Sequence, residues 1–347
     1  MSIAWCRSLL LGLWLGLLAL PSALPVAVAQ DASTRPVNIV LPLAAGSSGD
    51  FVARLIVREL TARLHQTFVV ENRPGAGAVI GTGAAARAPR EGQTLLFAPS
   101  GALVINPTLY KQLPYDVMRD FTPIAHTTDV PLLLVTHPSN PANNVVDVIA
   151  AARKRPGALT YASSGHGASN HLAGELLQRL AGISLIHVPY RDSTLSLNDV
   201  VTGRVQMMFS DAGACLALIG AGKLKALAVS TRTRLAAAAE VPPLHEAGVP
   251  GFDSKSWHML LGPAGMPDEA VRRLNHEINA VLAPPEVQQQ FAVLGLQAVS
   301  GPRPRPEEVQ AFLETEMQRV GDVIRQLGLA GSQIAALGYR DNGMICV

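Results

Sequence analysis

Short apolar runs alternate along this chain with stretches whose apolar residues recur every three or four positions. Val37 to Leu41, Phe68 to Glu71, Thr94 to Ala98 and Leu132 to Thr136 read as strands, as do Leu159 to Ala162, Leu185 to Val188, Val205 to Phe209 and Leu224 to Ser230. Between them, Val52, Leu55, Ile56, Leu60 and Leu64 share one helical face. Leu172, Ala173, Leu176, Leu177 and Leu180 share another, and Val271 to Leu282 and Glu307 to Leu327 read as two closing helices. Strands that alternate with helices predict an α/β fold of mainly parallel sheets flanked by helices. Such sheets take ligands at the carboxyl ends of their strands, so function is expected in the loops that leave them.

The start of the chain follows a different pattern. Arg7 is the sole charge before a run from Leu9 to Leu20, which Pro21, Ser22 and Pro25 break. Ala27-Val28-Ala29 then offers a small-x-small exit. A positive end, a short apolar core and a small-residue exit make residues 1–29 a cleaved secretory signal, which places the product outside the cytoplasm. The rest of the 347 residues exceeds the roughly 250 at which one core stops growing, so two lobes are expected. Pro138 and Pro141 mark one crossing between lobes, and Trp257 to Pro263 a return. That reading gives residues 30–137 to the first lobe, 138–254 to the second, 255–331 to the return and closing helices of the first, and 332–347 to a tail.

Composition narrows the partners. With 28 Lys+Arg against 26 Asp+Glu and no block of like charge, nucleic acid is not expected as a partner. Cys6 leaves with the signal. Cys215 and Cys346 could pair, but two cysteines are no disulfide framework. His166 and His171 have a spacing that zinc sites use, yet no cysteine pair accompanies them. They read as loop and helix-start residues, and neither a metal nor a cofactor is expected.

Two loops carry one physical logic. Pro42 to Asp50 joins the first strand to the first helix and contains Gly46, Ser47, Ser48 and Gly49. Ser163 to His171 leaves a later strand and contains Ser164, Gly165, Gly167 and Ser169. Small residues let backbone approach a ligand, hydroxyls donate, and a helix start favours an anion. The competing reading is a pair of capping turns, with Ser48 or Asp50 closing the first helix and Ser169 the second. Glu71 to Gly81 is also glycine-rich. It is not the first strand-to-helix turn, so a cleft wall containing Gly77 and Ala78 is preferred to a dinucleotide site. Arg73 there is as readily an ion-pair partner as a ligand contact. Tyr190 and Arg191 end one strand and could reach the cleft, or Tyr190 could fill a lobe core. Ser210 and Asp211 end another, where they could bind an ammonium or hydroxyl, or Asp211 could cap the next helix. A hydrolase would need Ser164 or Ser169 beside His166 or His171. No Gly-x-Ser-x-Gly elbow occurs, and no catalytic residues are expected.

These runs, in this order, resemble the substrate-binding proteins of tripartite tricarboxylate transporters, the Bug receptors. The likeness rests on Pro42 to Arg54, on Val70-Glu71-Asn72-Arg73-Pro74-Gly75-Ala76-Gly77, on Tyr161 to Gly167 with His171-Leu172-Ala173-Gly174-Glu175, and on His187-Val188-Pro189-Tyr190-Arg191. It spans about residues 35 to 331. It implies a two-lobed, type II periplasmic binding protein that closes on a small carboxylate, either a di- or tricarboxylate, an acidic amino acid or an aromatic acid. It assigns the grip to Ser47, Ser48, Gly49 and Asp50 with Ser163, Ser164, Gly165, Gly167 and Ser169, and the cleft lining to Gly77, Ala78 and Ser100. Membrane permease subunits are the implied partners, with a sensor kinase as the alternative. Where the family usually has Pro-Gly-Gly, this chain has Ala45-Gly46-Ser47.

Overall fold

Strands that are apolar at every position need cover on both faces, and the fold supplies it twice. The computed structural model describes residues 35–89, 93–299 and 304–332. The predicted signal segment, Cys346 and the tail after Ser332 lie outside those residues. Ten strands are described: β1 (Val37–Leu41), β2 (Phe68–Asn72), β3 (Thr94–Pro99), β4 (Phe121–Thr136), β5 (Thr160–Ser163), β6 (Ile186–Pro189), β7 (Met207–Asp211), β8 (Lys225–Val229), β9 (Lys255–Pro263) and β10 (Gln297–Ala298). Seven of the eight predicted strands are present within about two residues, and the eighth, Leu132 to Thr136, is the end of a strand that begins at Phe121.

One half of the fold runs β2-β1-β3-β9-β4, with β1 parallel to β2 and β3 and with β9 antiparallel to both neighbours. The other runs β6-β5-β7-β4-β8, with β5 parallel to β6 and β7 and with β4 antiparallel to β7 and β8. Alternate residues of each strand feed opposite layers. Leu96 and Ala98 of β3 point into one core and Leu95 and Phe97 into another. In the second half, Leu132 and Leu134 separate in the same way from Leu133 and Val135. Burial on both faces is why these strands read as unbroken apolar runs.

β4 belongs to both sheets. Phe121 to Pro131 pairs with β9, and Leu132 to Thr136 pairs with β7 and β8. The partner change therefore falls between Pro131 and Leu132, ahead of Pro138, where the sequence reading placed its crossing. On the way back, the Ser254 N–H donates to the Ser230 carbonyl of the second half, and Lys255 pairs with Pro131 in β9. The first half of β4 gave no strand signal because it holds Pro123, Pro131 and a polar run from His126 to Asp129. Register shifts at Pro123/Ala125 and His126/Thr128 absorb the irregularity, and Thr127 is satisfied by donating to the His258 carbonyl at 3.0 Å.

Helices cover the layers. Ser48–Leu64 and Asp268–Leu282 pack on one face of the first sheet, and Pro306–Gln326 on the other. Ser169–Ala181 covers the second sheet together with Val145–Lys154. Among the described residues no helix is long and apolar enough to cross a membrane. Cys215 is a buried free thiol, pushed up to about 12 by burial.

Candidate functional site

The loop after β1 is held by a carboxylate. Gly46 takes a positive φ of 78°, which turns the chain so that Ser47 becomes the helix N-cap. The Ser47 hydroxyl accepts from the Asp50 N–H at 3.3 Å. Ser47, and not Ser48 or Asp50, therefore closes this helix, because the turn at Gly46 puts its side chain over the first helical N–H groups. Asp50 reaches backward. Its carboxylate accepts from the Gly46 N–H, from Arg54 Nε and from Asn72 Nδ2, each at 3.0 Å. Burial opposes its charge, but the hydrogen bonds from Arg54, Gly46 and Asn72 outweigh burial and hold the carboxyl below its ordinary value.

The loop after β5 is held by neutral groups. The buried Ser163 hydroxyl accepts from the Gly165 N–H at 3.1 Å and meets His187 Nε2 at 2.6 Å. The Ser164 N–H and hydroxyl both donate to Asn170 Oδ1. Gly165 and Gly167 sit at φ of 113° and 81°, where other residues are strained. The expected cap Ser169 is the first helical residue instead, and Ala168 is the N-cap, with no side-chain bond. Ser169 is drawn away because its hydroxyl lies 3.0 Å from that of Ser100 and 3.2 Å from that of Ser256.

These loops face each other across a cleft of about 650 Å³. Its walls touch at several points. Ser48 Oγ donates to Asp211 Oδ2 at 2.7 Å, and the Tyr110 hydroxyl donates to the His166 carbonyl at 3.1 Å. Gly77 lies so close under the His166 carbonyl that any side chain would collide with it. The residues that line the cleft include five helix N-caps: Ser47, Ala78, Ala168, Asp192 and Asp211. Three of these, Ala78, Ala168 and Asp211, make no side-chain capping bond. Several helix starts converging on one space, some without their own acceptor, make a site for an anion. Arg191 adds one cationic side chain to the lining. The Asp211 carboxyl is raised above its ordinary value by burial, with the Ser48 hydrogen bond working against the rise. His258 is also buried and lowered to about 3, chiefly by burial, so it is a neutral imidazole there.

Of the residues singled out from sequence, Ser47, Gly77, Ala78, Ser164, Ser169, Arg191 and Asp211 line the cleft. The others surround it. Ser48 is held by Asp211, Gly49 packs against Leu43 and His258, and Asp50 pins the loop. Ser100 belongs to the serine trio, while Ser163, Gly165 and Gly167 shape the second loop. Tyr190 donates to Asp199 at 2.6 Å, and Ser210 to the Asp211 carbonyl. Arg73 pairs with Glu71 at 2.6 Å. Asp211 occupies an N-cap but bonds Ser48 instead of its own helix. Asn170, Asp192, Ser193, Ser256 and His258 line the cleft without having been foreseen. Asp192 was readable as a helix cap, since it accepts from the Leu195 N–H three residues on. Ser256 and His258 had no local signal, because β9 reaches the site only through pairing with β3 and β4.

A family model described as the tripartite tricarboxylate transporter family receptor matches residues 52–329. Protein BugT of Bordetella pertussis is 34% identical over 307 residues, covering 88% of this chain and 93% of that protein. Among solved structures, R. palustris Rpa4515 with adipate superposes with a TM-score of 0.82 at 34% identity, covering 86% of this chain and 99% of its own. MatC (Rpa3494) from Rhodopseudomonas palustris with bound malate gives 0.79 at 29% identity, covering 84% and 99%.

Proposed function

This chain belongs to the tripartite tricarboxylate transporter receptor family, and we propose that it captures a small carboxylate in the cleft and delivers it to the membrane permease of such a transporter. It is a solute receptor and not an enzyme. The observation that carries the ligand class is the convergence of five helix N-caps, three of them without a side-chain cap. A carboxylate placed there receives backbone N–H groups at the starts of Val79–Ala86 and Ser169–Ala181, and hydroxyls from Ser47, Ser164 and Ser169. Their dipoles are set before the ligand arrives, so little ordering cost is left to binding. The adipate and malate of the neighbouring structures support the same class.

The lobes swing about the two crossing strands, near Pro131–Leu132 and Ser254–Lys255, where the backbone changes sheets. Ser48–Asp211 and Tyr110–His166 are then latches made only on closure. The protein acts in the periplasm after loss of residues 1–29. Calorimetry against mono-, di- and tricarboxylates of two to eight carbons tests this reading. One carboxylate is expected to bind saturably at micromolar concentration or tighter, and silence across the panel overturns the proposal.

A further inference from the structure

Away from the cleft lining, three imidazoles meet where β5, β6 and the helix Ser169–Ala181 come together. His166 stands on the loop after β5, His171 in the first turn of the helix, and His187 in β6. Their ring centroids lie 5.3 Å apart for His166 and His171, 4.9 Å for His166 and His187, and 4.3 Å for His171 and His187. One ligating nitrogen from each ring falls within 4.8 Å of the other two. A stack of rings filling space would explain the proximity alone. It does not explain His166 Nδ1, which is buried and has no hydrogen-bond partner. A buried nitrogen without a partner costs stability, and a cation would satisfy it.

The surrounding oxygens fit that use. Ser163 Oγ lies 2.6 Å from His187 Nε2, and in the tautomer that protonates Nε2 the serine oxygen accepts that proton and Nδ1 of the ring is left available. The Gly167 N–H donates to His171 Nδ1 at 3.3 Å, so that ring takes a cation at Nε2 only when this contact gives way and the proton moves to Nδ1. Oxygen acceptors behind imidazoles are what orient metal-binding histidines. We propose that His166, His171 and His187 form a three-imidazole site for a divalent transition cation of the zinc class. Nitrogen donors without a cluster of carboxylates select zinc, nickel or copper over calcium and magnesium. Zinc–nitrogen bonds of about 2.0–2.1 Å need the three nitrogens about 3.4 Å apart. The rings must therefore draw in by side-chain rotation, because the His166 carbonyl is held by Tyr110 and packed over Gly77. Occupancy ties the loop tip to β6 and stiffens the wall that carries Ser164 and Ser169 to the cleft.

The test is zinc chloride titrated into the chelator-treated protein by calorimetry, with no carboxylate present, so its outcome is independent of the ligand proposal. One equivalent is expected at micromolar affinity or tighter. His166→Asn and His187→Asn are expected to weaken it at least tenfold, and His276→Gln, on an exposed helical face, to leave it unchanged. Cobalt(II) needs no variant: strong visible bands of a low-coordinate nitrogen site are expected. Absence of saturable zinc uptake, wild-type affinity in His166→Asn, or only the faint absorption of hydrated cobalt overturns the site.

Discussion

The two loops that face each other across the cleft share one sequence signature and are built on different physics. Pro42 to Asp50 is held by a charge, with the Asp50 carboxylate gathering Gly46, Arg54 and Asn72. Ser163 to His171 is held by neutral groups: two hydroxyls, an amide and glycines in left-handed backbone. The first loop spends a side chain, Ser47, on its own helix, while the second begins its helix at Ala168 and leaves those N–H groups for a ligand. A Gly/Ser-rich strand-to-helix loop therefore does not reveal which wall donates most. What decides it is whether the N-cap has an acceptor of its own.

The contrast breaks most sharply at Gly167. Its φ of 81° disfavours any side chain, and a Cβ there would run into Asn106 of the opposite half. Gly167→Val is expected to lower carboxylate affinity by roughly a hundredfold or more, since strain and clash together exceed about 3 kcal/mol. Calorimetry reads the affinity and circular dichroism checks the fold; unchanged affinity would show that the second wall does not need this close approach. Next comes Asp50→Ala, which strands the Gly46 N–H and Asn72 beneath the first loop. It should destabilise the protein by about 1–3 kcal/mol in urea melts. The matching Asn170→Ala removes only a neutral acceptor and should cost less; equal losses would erase the distinction between the loops.

A further effect is in pH. His258 packs beside Gly49 under the first loop, and its folded pKa is lowered to about 3 from 6.5. Below about pH 6.5 the unfolded chain takes up a proton that the folded chain refuses. Stability is thus complete above that pH and falls as pH drops toward 3, by about 1.4 kcal/mol per unit for this one group. Asp50, held below its ordinary value, adds to the loss only below about pH 4. Urea melts at pH 7.5 and 5.0 should differ by about 2 kcal/mol from His258 alone. A His258→Gln variant should show a shallower dependence; the same slope in both proteins would remove His258 as the cause.

Much of the fold was legible because burial on both faces leaves a continuous apolar run. Val37–Leu41 emerged residue for residue, and the helix containing Val52 to Leu64 needed only its cap supplied. The first half of β4 escaped because its polar residues are buried against β9, which no local rule rewards. At the site, glycines marked the turns correctly, but the capping roles of Ser48, Ser169 and Asp211 went astray. Each of these side chains has a partner far along the chain: Ser48 with Asp211, and Ser169 with Ser100 and Ser256.

By itself, then, the sequence determined the α/β alternation, the two glycine-bearing loops and the resemblance to a carboxylate receptor, since each rests on periodicity, backbone freedom or a contiguous motif. Only the tertiary structure decided which hydroxyls face the cleft, that β9 adds Ser256 and His258, and that His187 joins His166 and His171. Those facts depend on strands pairing across more than a hundred residues and on loops from two sheets meeting. The free energy of such contacts lies in the packed fold, and no stretch of the chain contains it alone.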